Sequence, residues 1–361
     1  MQHDLVESRR WVSRQDYVEG LAFSQLSPGP LAAQLAMYLG WVRAGRLGAS
    51  LVGLVFILPS FLMVLALAAL YVHYGGSLPW IQGLFYGMGA AVIAIIGISA
   101  YRLTRKTIGK DWLLWLLFGI AAIVTVWTEA EIIWILLAGG VLAVLVRAPP
   151  RFRSRPTAFA LGLWPEWLFA GLNGPASDAD LWRIVWYFTE AGAFVFGSGL
   201  AIVPFLHGGT VDRFQWLDEQ QFLDAVAVAM ITPGPVVITV GFIGYLVAGP
   251  VGAVLAALAI FFPCYFLVIV FAPYYRYFAK NEQIKTFVKG ITATVIGTIA
   301  GAAVILGRRA LFPHASGVDI PAVAIAVTTF AVLLWVKRIP EPLVILAAGF
   351  IGLLLKQFAE T

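Results

Sequence analysis

The chain has 361 residues, of which 61% are hydrophobic, 14% aromatic and only 12% charged. Soluble domains carry about 25% charged and about 45–50% apolar residues, and a mean hydropathy of +0.88 spreads the deficit along the sequence. A soluble enzyme, a disordered chain and a disulfide scaffold are thereby excluded, leaving an all-α polytopic membrane protein. The net charge of +5 reads as membrane topology rather than nucleic-acid binding, because most Lys and Arg lie between apolar runs. Cys264, the single cysteine, sits beside Pro263 in an apolar run and reads as packing.

Met1 to Asp16 are polar and mixed in charge, so no cleavable signal is expected there. Apolar stretches follow at 17–42, 47–72, 79–101, 112–127 and 132–146, and then at 182–206, 222–248, 250–272, 288–307, 318–336 and 341–355. Several reach the roughly 20 residues that a bilayer crossing requires, and none alternates as a barrel strand does. The short runs 112–127 and 132–146 predict a tight helical hairpin across Trp127 to Glu131. Between the two series lie Arg147, Arg151, Arg153 and Arg155 and the interfacial segment Leu163-Trp164-Pro165-Glu166-Trp167. The expected organisation is a repeat over 1–147, a basic linker over 148–181 and a second repeat over 182–361.

The halves are related. Trp11 to Pro30 matches Trp216 to Pro235 at a constant offset, pairing Gln15 with Gln220, Glu19 with Asp224, Ser27 with Thr232 and one Pro-Gly-Pro with another. After a one-residue slip, Gly40 matches Gly244, Ala44-Gly45 matches Ala248-Gly249, and Pro59 matches Pro263. Gly83 and Gly290 precede Arg102 and Arg309 by the same interval. Loop charge adds orientation: Arg43 and Arg46 follow the first Pro-Gly-Pro segment, whereas its counterpart loop, Val247 to Val251, is uncharged. The next loops reverse the bias, with no Lys or Arg in His73 to Pro79 but Arg276, Lys280, Lys285 and Lys289 in the second half. Equivalent loops of opposite bias predict two inverted repeats, an arrangement of secondary transporters with the site at the repeat interface. Arg308 and Arg309 fall on the side opposite to the other basic loops.

Proline inside a helix costs about 3 kcal/mol or more, so Pro28-Gly29-Pro30 and Pro233-Gly234-Pro235 should break helices into halves. Ser27 and Thr232 are expected to N-cap the half-helices that follow. The free N–H groups of Gly29, Leu31 and Ala32, and of Gly234, Val236 and Val237, would then form a paired cradle for a compact oxyanion. A third candidate break is Gly197-Ser198-Gly199, whose Ser198 hydroxyl would line the same cavity. Glu190, Glu19 and Asp224 are candidate proton carriers, as carboxylates in apolar surroundings are costly. Arg102 and Arg309 either steer anions or snorkel at helix ends. Gly83, Gly87, Gly297 and Gly301 have the small-residue spacing of helix packing. The four histidines, His3, His73, His207 and His314, show no metal-ligand spacing, and no nucleophile elbow or phosphate loop is present, so no cofactor, metal or enzyme activity is expected.

At these residues the chain resembles the chromate ion transporter family. The features are the duplicated Pro-Gly-Pro and the stretch Phe196 to Leu206 leading into Trp216-Leu217-Asp218-Glu219. The resemblance implies a duplicated, antiparallel, multi-pass inner-membrane transporter of chromate, with sulfate as the competing ion and proton-linked or potential-linked transport. It also implies that the chain starts inside its first repeat, since the equivalent of 188–206 is missing ahead of Gln2. Gln25 fits the family's Gln three residues before Pro-Gly-Pro, while Met230 replaces it in the second half. Chromate or sulfate and the lipid bilayer are the expected partners, with a homodimer an open assembly. A passive anion channel and a non-transporting scaffold are the alternatives.

Overall fold

The computed structural model describes residues 3–74, 79–128, 133–149, 178–195, 199–275, 281–311, 318–336 and 339–359. Among them the chain is helical throughout, without strands. The helices are α1 (Arg14–Leu26), α2 (Leu31–Tyr74), α3 (Pro79–Thr107), α4 (Trp112–Thr128), α5 (Ile133–Arg147), α6 (Asp178–Phe194) and α7 (Ile202–His207). There follow α8 (Glu219–Ile231), α9 (Thr239–Phe271), α10 (Glu282–Leu311), α11 (Ile320–Trp335) and α12 (Glu341–Ala359). Leu31–Tyr74, Trp80–Thr107, Val236–Tyr274 and Glu282–Leu311 are long and apolar enough to cross a bilayer. The expected all-α polytopic membrane class is the class observed.

The apolar stretch 17–42 is not one helix with a kink. Ser13 caps α1 by accepting from the Asp16 N–H, and α1 stops at Leu26 before Pro28. The rings of Phe23 and Tyr38 then stack at 5.3 Å. Fifteen residues of continuous helix would hold them about 22 Å apart, so the chain reverses at the Pro-Gly-Pro turn. In the second half α8 starts at Asp218 in a capping box with Gln221 and stops at Ile231, before Pro233.

A second reversal lies inside α2. At Ala44 and Gly45 the backbone leaves the helical region, with Gly45 at φ +59, ψ −145. A Cβ on Gly40 would lie 2.5 Å from the Gly48 carbonyl oxygen, a pair that continuous helix would keep about 12 Å apart. Helix α2 is therefore a short arm, 31–43, folded back on a long arm, 46–74. Helix α9 does the same at Ala248 and Gly249 (φ +63, ψ −156), dividing into 239–247 and 250–271. Here Gly244 meets Gly252, and a Cβ on Gly244 would lie 2.4 Å from the Gly252 oxygen. Only glycine combines a positive φ in the turn with this close backbone contact beside it.

The elements of 1–147 and 182–361 are interlaced. Helix α2 packs on α9, α3 packs on α11 and α12, and α10 packs on α4 and α5. Small residues allow these approaches: a Cβ on Gly297 would lie 2.3 Å from the Phe118 oxygen, and one on Gly87 2.0 Å from the Ala348 oxygen. Gly83 and Gly301 abut α12 and α4 in the same way, so these four glycines pack helices as expected. Helices α4 and α5 lean mainly on α10 rather than on each other. The turn of the hairpin predicted for them includes 129–132, outside the described residues.

Candidate functional site: two proline–glycine turns

Each Pro-Gly-Pro turn ends one helix and starts the next within four residues. In the first, the carbonyl of Pro30 accepts from the Gln34 N–H at 3.0 Å, so Pro30 is the N-cap of the short arm 31–43. In the second, the Pro235 carbonyl accepts from Ile238 N–H at 3.0 Å and caps the turn Val236–Ile238. Ser27 and Thr232 do not N-cap these segments, contrary to the sequence expectation. The Ser27 hydroxyl donates back to the Phe23 oxygen at 2.9 Å and the Thr232 hydroxyl to the Ala229 oxygen at 2.9 Å. Such back-bonding is the local alternative open to any Ser or Thr at a helix end. It leaves Leu31, Ala32 and Ala33, and Val236 and Val237, as the residues preceding the first helical N–H bond.

Glycine is required at both turns. Gly29 has φ +131 and Gly234 φ +149. A Cβ on Gly29 would lie 2.4 Å from Cys264 Cβ, and one on Gly234 1.8 Å from Ser60 Oγ. The Ser60 hydroxyl also donates to the Pro233 carbonyl at 2.7 Å. Ser60 and Cys264 each follow the proline inside a long arm, Pro59 and Pro263. The long arm of each half thus braces the turn of the other half. Cys264 is fully buried, consistent with a packing role.

The third break joins the first two through its flanks. The Val195 carbonyl accepts from Gly29 N–H at 2.5 Å, so that donor is committed in this conformation. Gly199 sits beside Val236, its Cβ position 3.7 Å from Val236 Cβ. Four peptide units limit the Val195-to-Gly199 span to about 15 Å, which bounds the separation of the two turns. Gly197 and Ser198 lie outside the described residues. Gly234 and Ala32 are exposed, Leu31 and Val236 half-buried, and Pro30, Pro235 and Val237 buried.

Sequence reasoning missed Gln34. Its side chain is fully buried, its Nε2 donates to the Pro28 carbonyl, and its Oε1 has no hydrogen-bond partner among the described residues. A buried acceptor left unsatisfied costs about 1–3 kcal/mol, so this amide sets a polar demand at the first turn. Its position four residues after Pro30, in the first turn of the new helix, was the available signal.

The predicted proton carriers occupy three different surroundings. Asp224 is buried, its Oδ2 accepting from Tyr71 hydroxyl at 2.8 Å and its Oδ1 from Gln220 Nε2 at 2.7 Å. Glu19 is half-buried and accepts from Gln15 Nε2 at 3.0 Å, the equivalent bond in the first half. Glu190 opens on a cavity of ≈ 400 Å³ shared with Arg183, Arg213, Trp182 and Trp186. Gln25 is exposed on the last turn of α1.

The two equivalent arginines lie elsewhere and differ from each other. Arg102 donates to the Leu333 carbonyl at 2.7 Å, capping the end of α11, and meets Glu341 at 3.5 Å. Arg309 pairs with Asp212 at 2.8 Å and with Glu219 at 3.6 Å. The same two carboxylates flank the buried His207 imidazole at 3.3 and 3.0 Å. Both arginines are held by protein partners in this conformation.

Residues 1–144 and 182–353 match the family described as chromate transporter. The chain belongs to the chromate transporter family. It is 52% identical over 353 residues to the chromate transport protein of Cupriavidus metallidurans, covering 98% of this chain and 86% of that one. It is 53% identical over 359 residues to the probable chromate transport protein of Synechococcus elongatus, covering 98% and 89%. Identity to the chromate transport protein of Pseudomonas aeruginosa is 29% over 371 residues, covering 98% and 86%. No solved structure matches the chain. The family is one of transporters rather than enzymes, and the apolar helices make this member a multi-pass membrane protein.

Proposed function

We propose that this chain is a secondary transporter of chromate that holds the oxyanion at its two Pro-Gly-Pro turns. The observation that carries the reading is the pair of turns themselves, each opening a new helical segment within four residues and each braced by the opposite long arm. Donors from the first turn of each segment, at Leu31 and Ala32 and at Val236 and Val237, would point at the anion. Helix N-termini carry roughly half a positive charge, which suits a compact anion. Ser198 and the glycines at 197 and 199 would complete the site. The names of the relatives at 52% and 53% identity favour chromate over other oxyanions.

On this reading the halves are inverted repeats, and alternating access exchanges their environments. The buried carboxylate Asp224, with Glu19 as its equivalent and Glu190 near the third break, would carry the coupling proton. An inner-membrane location follows from the resemblance.

Uptake of labelled chromate and of labelled sulfate into vesicles of each orientation, with and without a pH gradient, tests the proposal. Chromate accumulation above equilibrium under a gradient is expected. Equilibration without accumulation would point to a channel, and transport of sulfate alone would overturn the substrate. No flux of either anion in a folded, inserted protein would favour a scaffold.

A further inference from the structure

The long arms do more than brace the turns. Tyr71, near the end of the α2 long arm, donates to Asp224 of the second half at 2.8 Å. Its equivalent Tyr275, just past the α9 long arm, sits edge-on at 5.8 Å to Phe23, one turn after Glu19 on α1 of the first half. The aromatic neighbours repeat as well. Tyr71 sits edge-on to Phe242 at 5.3 Å, and Tyr275 sits edge-on to Tyr38, the residue equivalent to Phe242, at 6.4 Å. Each carboxylate also accepts from a glutamine one turn earlier on its own helix, Gln220 or Gln15. The result at Asp224 is a crossed tyrosine–carboxylate–glutamine triad, with its tyrosine from one half and its carboxylate from the other.

The two carboxylates differ in setting. Asp224 is buried and Glu19 half-buried. Asp224 nonetheless borders a cavity of ≈ 530 Å³ whose walls include Tyr71, Gln82, Tyr86, Gln220 and Lys356. Gln82 is exposed and accepts from Lys356 Nζ at 3.0 Å, so the cavity reaches the outside at that pair.

We propose that Asp224 is a proton-binding site reached through this cavity, and that Tyr71 positions it and couples its proton to movement of the long arm. The inference rests on the proton-coupled reading above. Both Asp224 oxygens accept hydrogen bonds, from Tyr71 and from Gln220. A proton would take one of the lone pairs that these two bonds leave open. Protonation removes the charge that strengthens the Tyr71 bond, so the hydroxyl is held less tightly and can let go. Letting go frees the end of the arm whose Ser60 holds the Pro233 carbonyl of the binding turn. The groups facing Asp224 that bear on its titration are Tyr71 from α2, Tyr86 from α3, Lys356 from α12 and Asp218 ahead of α8.

The test is the pH profile of chromate uptake in proteoliposomes of the full chain, beside chromate binding by calorimetry. Tyr71→Phe removes a donor that favours the ionised carboxylate. Its uptake profile is expected to move to higher pH by about one to two units, with chromate affinity kept within about twofold. Asp224→Asn is expected to bind chromate and lose the profile. Lys356→Gln removes a cation from the cavity wall and should move the profile in the same direction by less; it serves if Tyr71→Phe does not fold. An unmoved profile in Tyr71→Phe, or in Lys356→Gln in its place, with a flattened profile in Asp224→Asn, overturns the tyrosine and cavity assignment alone. A wild-type profile in Asp224→Asn overturns proton coupling at this residue altogether.

Discussion

Replacing Gly234 by alanine isolates what the second turn demands of its backbone. At φ +149 an L-residue is strained whatever the space around it, at about 1–3 kcal/mol. The new Cβ would also fall 1.8 Å from Ser60 Oγ, so the hydroxyl must rotate away from the Pro233 carbonyl. That forfeits a hydrogen bond of about 1 kcal/mol. The sum is about 2–4 kcal/mol, enough to lower the apparent melting temperature in detergent by several degrees. Gly45→Ala provides the comparison, since nothing lies within 4 Å of its Cβ position and only backbone strain operates. Adding Ser60→Gly to Gly234→Ala removes the collision, and the double mutant should show a coupling of about 1 kcal/mol relative to the two single changes. Thermal unfolding of the four variants reads the stability, and labelled chromate uptake reads the function. A Gly234→Ala protein as stable and active as the parent would show that the turn does not require glycine, and strict additivity with Ser60→Gly would show that the two side chains do not collide.

Gln34→Leu removes the donor that holds the Pro28 carbonyl of the first turn, and chromate affinity by calorimetry is expected to fall about tenfold as the turn loosens; unchanged affinity would show that this bond does not set the turn for binding. The equivalent arginines should behave unequally. Arg102→Ala loses an exposed 3.5 Å pair worth little and the bond to the Leu333 carbonyl, and should cost about 1 kcal/mol, whereas Arg309→Ala strips the cation from Asp212 and Glu219 and should cost about 1–3 kcal/mol, both by thermal unfolding. Gly297→Leu drives a side chain into the Phe118 carbonyl and should cost about 3 kcal/mol or more, read as loss of folded protein on size exclusion.

The sequence carried the class and the helix ends well. Apolar runs ending at 42 and 248 stop beside the glycine turns at 45 and 249, because hydropathy and helix breaking coincide there. Proline and glycine also marked the turns at 28–30 and 233–235. Direction was less legible. Composition cannot distinguish a kink from a reversal, and it takes packing across the first turn, such as the Phe23–Tyr38 stack and the approach of Gly20 to Leu35, to reveal the reversal there. Ser27 and Thr232 misled because a hydroxyl at a helix junction can cap forward or bond backward with equal chemistry. The crossing of the halves was hidden for a different reason. Ser60 with Cys264, and Tyr71 with Tyr275, align within the duplication, yet alignment pairs equivalents while packing pairs each with the opposite half. Gln34 was visible in the first turn after Pro30, but its burial and unpartnered oxygen belong to the packing.

Chromate binding at the two Pro-Gly-Pro turns is open to direct observation. A crystal structure of the chromate-loaded protein, with anomalous scattering collected at the chromium edge, locates the metal atom of the anion without reference to the protein density. One peak per chain is expected, with the anion's oxygens in hydrogen-bonding reach of the N–H groups of Leu31 and Ala32 or of Val236 and Val237. A peak in the cavity between Arg183, Arg213 and Glu190, with none at the turns, would contradict it.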